Sequence, residues 1–211
     1  METVVLLHGI WMKSLVMRPL ATRLREAGFR TRCFTYPSIN RSPAENARLL
    51  REFVKNEQAP LHFVAHSLGG IVLMHYFDQF NETREGRVVM LGSPVNGSEN
   101  ARVFNDIPIL QRALGRSIDQ GLLGNIPRWK GGCDLGVIAG TKGIGVGKLI
   151  SRSDRANDGT VYVEETRINE CRDFLTMPVS HTTMLFSAKV AKQVAGFLRH
   201  GYFNAEICSE K

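Results

Sequence analysis

Leu61-His-Phe-Val-Ala-His-Ser-Leu-Gly-Gly70 is the stretch on which the reading of this chain turns. An apolar run of strand length leads directly into a small-His-Ser-Leu-Gly turn, and helix-forming residues follow from Leu68. A serine between small residues at a strand-to-helix turn is held in a strained, exposed conformation that can present its hydroxyl as a nucleophile. Ser67 is therefore the candidate nucleophile. The strict pattern is Gly-x-Ser-x-Gly, and Ala65 stands at its first glycine. Alanine adds one methyl group, small enough to keep the helix close to the strand. The competing reading is an ordinary strand-to-helix turn, so the rest of the chain has to decide.

A serine hydroxyl needs a general base, usually histidine, itself oriented by a carboxylate. With a strand-turn-helix serine, the chain order is Ser, then Asp or Glu, then His. Among His8, His62, His66, His75, His181 and His200, only the last two lie downstream of Ser67. His181 follows the apolar run Phe174 to Val179 and precedes a helical pattern, which puts it in a loop at a strand's carboxyl end. His200 ends that pattern beside Gly201, where a cation complements the helix dipole. Asp158, in the turn Asn157-Asp-Gly-Thr160, is the first choice of carboxylate, with Asp154 and Glu164 in reserve. Asp-Gly is also a common surface turn.

Acyl transfer requires preorganised N–H groups to meet the oxyanion. Leu68, directly after the serine at the positive end of its helix, supplies one. The loop after the first strand, Leu6-Leu-His-Gly-Ile-Trp11, supplies the other, from Ile10 or alternatively Trp11.

On Leu7-His8-Gly9-Ile10, Ala65-His-Ser-Leu-Gly-Gly70, Leu91-Gly-Ser-Pro94, Asn157-Asp-Gly159 and His181, the chain resembles the α/β-hydrolase superfamily, and within it the small bacterial lipases and esterases. The resemblance spans residues 4 to about 198. Minimal lipases of this branch share the alanine at the first turn position. The resemblance implies a serine hydrolase of carboxylic esters with no metal and no organic cofactor, acting on a small-molecule or lipid ester. Leu-Gly-Ser-Pro is similar to the Leu-Gly-Thr-Pro that such lipases place before a cap. Ser93 and Ser98 lack the turn that Ser67 has and read as loop residues. Since the first strand begins at Val4, the sheet is expected to be truncated relative to larger members.

The chain has 211 residues, 43% of them hydrophobic, enough for one domain with a substantial core. No apolar run reaches membrane-spanning length and no signal region is read, so a cytoplasmic protein is expected. Cys33, Cys133, Cys171 and Cys208 show neither metal-site nor disulfide spacing and read as reduced thiols. Asn81-Glu-Thr83 and Asn96-Gly-Ser98 match the glycosylation acceptor by composition alone. The net charge of +7 comes from 27 Lys and Arg against 20 Asp and Glu. Residues 95 to 155 hold nine bases and five acids, a net +4. That field can steer an anionic substrate or favour an anionic membrane surface, or it is a solvated basic face. No nucleic-acid partner is expected.

Strand-length runs recur at Val4–Leu7, Thr31–Tyr36, Leu61–Ala65, Val88–Leu91, Leu135–Ala139 and Phe174–Val179, most separated by helical patterns. This predicts an α/β fold of about six mostly parallel strands with helices on both faces. Helices are expected over Ser14–Ala27, from a capping box at Ser42-Pro-Ala-Glu45, over Leu68 to about Phe80, and over Thr182–Arg199. Forty residues from Val95 to Asp134 carry apolar residues but no strand, which predicts a small helical cap insert within a single domain spanning 1–211. Its two readings are an apolar lid that receives acyl chains and a cap that only packs on the sheet edge. The glycines from Gly140 to Gly147 do not make a phosphate loop, because Lys142 stands where glycine is required and Leu149 where Ser or Thr would bind magnesium. They read as a mobile loop after the fifth strand.

Three functions fit these residues: ester hydrolysis through Ser67, His181 and Asp158; the same triad acting on a thioester, amide or phospholipid acyl bond; and a non-catalytic scaffold that binds a partner or an anionic surface.

Overall fold

The computed structural model describes residues 1–143 and 154–204. Six strands, β1 (Thr3–Leu7), β2 (Arg30–Phe34), β3 (Leu61–His66), β4 (Val88–Leu91), β5 (Leu135–Gly140) and β6 (Asp173–Met177), form one sheet in the order β2-β1-β3-β4-β5-β6. Every pairing is parallel. The carboxyl ends of all six strands therefore open on one edge, where loops from different strands can meet.

The central strands are buried on both faces, which explains their continuous apolar runs. Side chains alternate between the faces with period two. Val5, Leu7, Phe63, Ala65, Val88 and Met90 point into a core closed by α2 (Pro43–Val54) and α3 (Leu68–Gln79). Val4, Leu6, Val64, Val89, Leu91 and Ile138 point into a second core closed by α1 (Arg18–Glu26) and α6 (Ala188–His200). α3 is buried from Leu68 to Phe77, and its apolar residues run round the whole circumference, as a helix covered on all sides requires.

Local chemistry sets the helix ends. Ser42 Oγ accepts from the Glu45 N–H (3.2 Å), and Glu45 Oε2 accepts from the Ser42 N–H (2.7 Å), closing the expected capping box with Pro43 at the first helical position. Two expected helices are divided. Ser14–Met17 forms a 3₁₀ turn and α1 restarts at Arg18, where Pro19 has no N–H to contribute to a continuous ladder. The last helix does not begin at Thr182. Thr183–Leu185 is a separate 3₁₀ turn, and Ser187 caps α6 by accepting from the Val190 N–H at 3.3 Å.

Within the 95–134 stretch lie α4 (Glu99–Asn105), α5 (Pro108–Leu114) and a 3₁₀ turn at Gly115–Ile118. Ser98, expected as a plain loop residue, is the N-cap of α4, its Oγ accepting from the Ala101 N–H at 3.2 Å. Most of the glycine-rich segment expected as a mobile loop, from residue 144, lies outside the described residues, as does Cys208. Among the described residues no helix is long and apolar enough to cross a membrane.

Candidate active site

Ser67 sits between β3 and α3 with φ 53° and ψ −122°, a backbone conformation that residues with a β-carbon rarely adopt. Tight surroundings hold it there. The Ser67 N–H donates to the Leu91 carbonyl of β4 at 2.9 Å. A β-carbon on Gly69 would stand 2.9 Å from the His8 carbonyl oxygen and 2.9 Å from Leu7 Cβ, so the first turn of α3 lies directly on the end of β1. On Gly70 it would overlap the Ser93 side chain of the Leu-Gly-Ser-Pro segment. These two contacts are the physical reason for the Gly-Gly pair. Ala65 is fully buried in a regular strand, a backbone conformation that a residue with a β-carbon adopts without strain.

Asp158 is 1% exposed. Its Oδ2 accepts from His181 Nδ1 at 2.6 Å, and its Oδ1 accepts from the N–H groups of Thr160 (2.9 Å) and Val161 (2.7 Å). The turn is closed by Gly159 at φ 91° and by Asn157 Oδ1 accepting from the Gly159 N–H at 2.9 Å. A second bond, His181 N–H to the Asp158 carbonyl (2.8 Å), fixes the two loops to each other. With Nδ1 bonded to a carboxylate, the imidazole is set in the tautomer that leaves Nε2 free to accept a proton. Gly92, next after Leu91, is where the pair rests: a β-carbon there would lie 2.9 Å from Asp158 Oδ2 and 3.1 Å from His181 Nδ1. The reserve carboxylates are elsewhere. Asp154 is exposed, and Glu164 lies in the 3₁₀ turn Val163–Thr166, its carbonyl accepting from Asn96 Nδ2. His200 is the last residue of α6.

Among the described residues neither Ser67 Oγ nor His181 Nε2 makes a hydrogen bond. Hydrogen bonds that carry a proton in catalysis are commonly long in unliganded sites and tighten when substrate is bound.

His66 links the serine to the histidine loop. It is fully buried, its ring centroid 4.6 Å from that of His181, and its Nε2–H donates to the His181 carbonyl at 2.9 Å. Its Nδ1 has no partner among the described residues and lies 3.1 Å from where a Gly9 β-carbon would stand. Burial, reinforced by the neighbouring His181, pushes its pKa well below the ordinary histidine value, so the ring is neutral. Sequence reading gave His66 no role, because its partner lies 115 positions away.

The loop after β1 discriminates between the two N–H groups it offers. The Trp11 N–H is committed to Ser38 Oγ at 3.1 Å. The N–H groups of Ile10 and Leu68 donate to nothing among the described residues. His8, fully buried and stacked on Tyr36 with ring centroids 4.2 Å apart, sets the Gly9–Ile10 peptide: its Nδ1–H donates to the Gly9 carbonyl at 2.8 Å, while its Nε2 accepts from the Tyr36 N–H at 3.4 Å. Burial lowers the His8 pKa, consistent with that neutral form.

Comparison with known proteins bears on the family and the fold. Residues 4–169 match the model of an alpha/beta hydrolase family. No curated protein sequence matches the chain. Among solved structures, the mature Bacillus licheniformis lipase BlEst2 superposes with a TM-score of 0.70 at 17% identity, over 93% of this chain and 90% of that one. The Legionella pneumophila phospholipase PlaB gives 0.72 at 12% identity, over 99% of this chain and 62% of its own. The metagenomic carboxyl esterase MGS0156 gives 0.67 at 17%, over 85% and 64%. At these identities the structural likeness speaks for the fold alone, and the family match covers most of the sequence: the chain belongs to the alpha/beta hydrolase family.

Proposed function

We propose that this protein hydrolyses carboxylic esters through an acyl-enzyme on Ser67. His181 Nε2 takes the serine proton as Oγ attacks the ester carbonyl, then returns it to the leaving alcohol. Asp158 holds the imidazole and stabilises its charged form. The Ile10 and Leu68 N–H groups receive the oxyanion. Water, activated by the same imidazole, releases the acid. The observation that carries the reading is the 2.6 Å His181 to Asp158 bond at the carboxyl edge, beside a serine held at positive φ.

Lipid-like esters are the favoured substrates. Trp11, Leu15, Val103, Ile107, Ile109 and Phe186 are large apolar residues left exposed, and all lie in segments that follow β1, β4 or β6 at the edge that carries Ser67. A rim of this kind suits an acyl chain better than a polar substrate. Residues 95–134 act in this reading as a cap over the site. Within residues 11–17 and 99–114, Lys13, Arg102 and Arg112 are exposed against one exposed carboxylate at Asp106, and this positive balance fits weak contact with an anionic membrane surface.

Ser67→Ala should abolish hydrolysis of p-nitrophenyl butyrate, a loss of about 10³-fold or more, while leaving the circular dichroism spectrum unchanged. A fluorophosphonate probe should label the wild type stoichiometrically and the variant not at all. Turnover unchanged in Ser67→Ala refutes the assignment. Absence of labelling in a folded wild type would instead favour the non-catalytic scaffold.

A further inference from the structure

Trp11 is exposed over 56% of its surface, yet it is tied at three points. Its backbone sits at φ 58°, a region that residues with a β-carbon avoid, with its N–H on Ser38 Oγ at 3.1 Å. Its indole Nε1–H donates to the Ala113 carbonyl in the last turn of α5 at 2.6 Å. Its ring meets Phe104 of α4 edge-on, centroids 6.4 Å apart at 61°. The side-chain ties run to the 95–134 insert, and the backbone belongs to the loop whose preceding peptide carries the Ile10 N–H. An exposed indole would ordinarily satisfy its N–H with water, so a short bond to a carbonyl 102 positions away marks a joint between the two segments.

From this geometry we infer that Trp11 is a positioning residue through which the insert holds the Ile10 N–H in the orientation that receives the oxyanion. His8 fixes the Gly9–Ile10 peptide from the upstream side, through the Gly9 carbonyl, and Trp11 fixes it from the downstream side. Movement of α4 and α5 away from the sheet breaks the Ala113 bond and frees the loop to rotate the Ile10 N–H off the site. The position of the insert thus sets the competence of the site as well as access to it. Trp11 touches no reacting atom in this proposal, and its effect passes through Ile10. The inference rests on the acyl-transfer reading of Ser67.

The test is Trp11→Phe, which keeps a ring against Phe104 and removes the indole N–H. Rates are measured on p-nitrophenyl butyrate per active site titrated with a fluorophosphonate, so that misfolded protein does not count. The expected result is a fall in kcat of roughly tenfold or more, short of the ~10²–10³ that follows complete loss of an oxyanion donor. KM should stay within about twofold, since the lost interaction belongs to the transition state. The pH midpoint of kcat should not move, because the Asp158 and His181 pair is untouched. Phe104→Leu, which loosens the same joint from the insert side, should lower kcat in the same sense by a smaller factor, and it decides the matter if Trp11→Phe does not fold. Unchanged kcat in a folded variant, a loss confined to KM, or a displaced pH midpoint overturns the proposal. Because Ser67→Ala is assayed alongside, full activity in that variant identifies failure of the underlying reading and not of the Trp11 joint alone.

Discussion

Four histidines are buried neutral, and each is held below the ordinary histidine pKa chiefly by burial: His8, His62, His66 and His75. The unfolded chain binds protons at these positions from about pH 6.5 downward, and the folded chain resists them. More protons on the unfolded side means that stability falls as pH falls, by up to about 1.4 kcal/mol per pH unit for each such group. Melting temperature should therefore be level between pH 8 and 7 and drop steadily from pH 6.5 to 5. His66→Gln keeps a donor near the His181 carbonyl and removes the titration, so its drop should be shallower than that of the wild type. A melting temperature that does not change from pH 7 to 5 would contradict this account. The individual residues were unequally legible in the sequence. The strained turn at Ser67 was legible from its neighbours, and the Asp-Gly turn at Asp158 from local sequence, which did not by itself set Asp158 above Asp154 or Glu164. The partners of His66 and Trp11 lie more than a hundred residues distant, and nothing local to either residue carries that information.

At the scale of elements, the close seating of α3 on β1 makes opposite predictions for two helical glycines. Gly69→Ala would force a methyl group against the backbone of Leu7 and His8 and should destabilise the protein by about 1–3 kcal/mol, seen as a lower urea midpoint. Gly196 lies in the interior of α6 with no atom within 4 Å of where its β-carbon would stand. Gly196→Ala should stabilise by about 0.5–1 kcal/mol, because alanine loses less conformational freedom on entering a helix. Equal effects in the two variants would remove the packing argument. The strands were readable in sequence to within two residues at either end. In the four central ones burial on both faces leaves an apolar run that ends with the sheet, whereas the partly exposed edge strands β2 and β6 carry shorter apolar stretches. The helices were readable where a cap was explicit, as at Ser42 and Gly201. They were misread where a 3₁₀ turn runs into a helix, because apolar spacing is nearly alike in both and only Pro19 and Ser187 mark the break.

For the whole molecule, the all-parallel sheet explains why residues as separated as Ile10, Ser67, Asp158 and His181 gather along a single edge. That convergence was foreseeable from the alternation of strands and helices. The arrangement of residues 95–134 was not, because amphipathic segments of seven residues can pack at many angles and their place is set by contacts such as those of Phe104 and Ala113. The apolar rim yields a further prediction. Ile109 is 76% exposed, so Ile109→Glu should alter stability by no more than about 0.5 kcal/mol. It should nevertheless slow hydrolysis of a long-chain ester dispersed in anionic vesicles while sparing a soluble short-chain ester. Parallel losses on both substrates would show that the rim does not meet the lipid phase.

A sheet whose strands all run the same way has a front and a back. β1 enters from the back, beginning at Thr3, and Met1 is 93% exposed there, while the serine and its partners face the front. A bead, a fluorophore or a fused protein attached through Met1 would therefore leave the edge that carries Ser67 turned toward the medium. Immobilised in that way, the protein should keep both its rate constant and its selectivity.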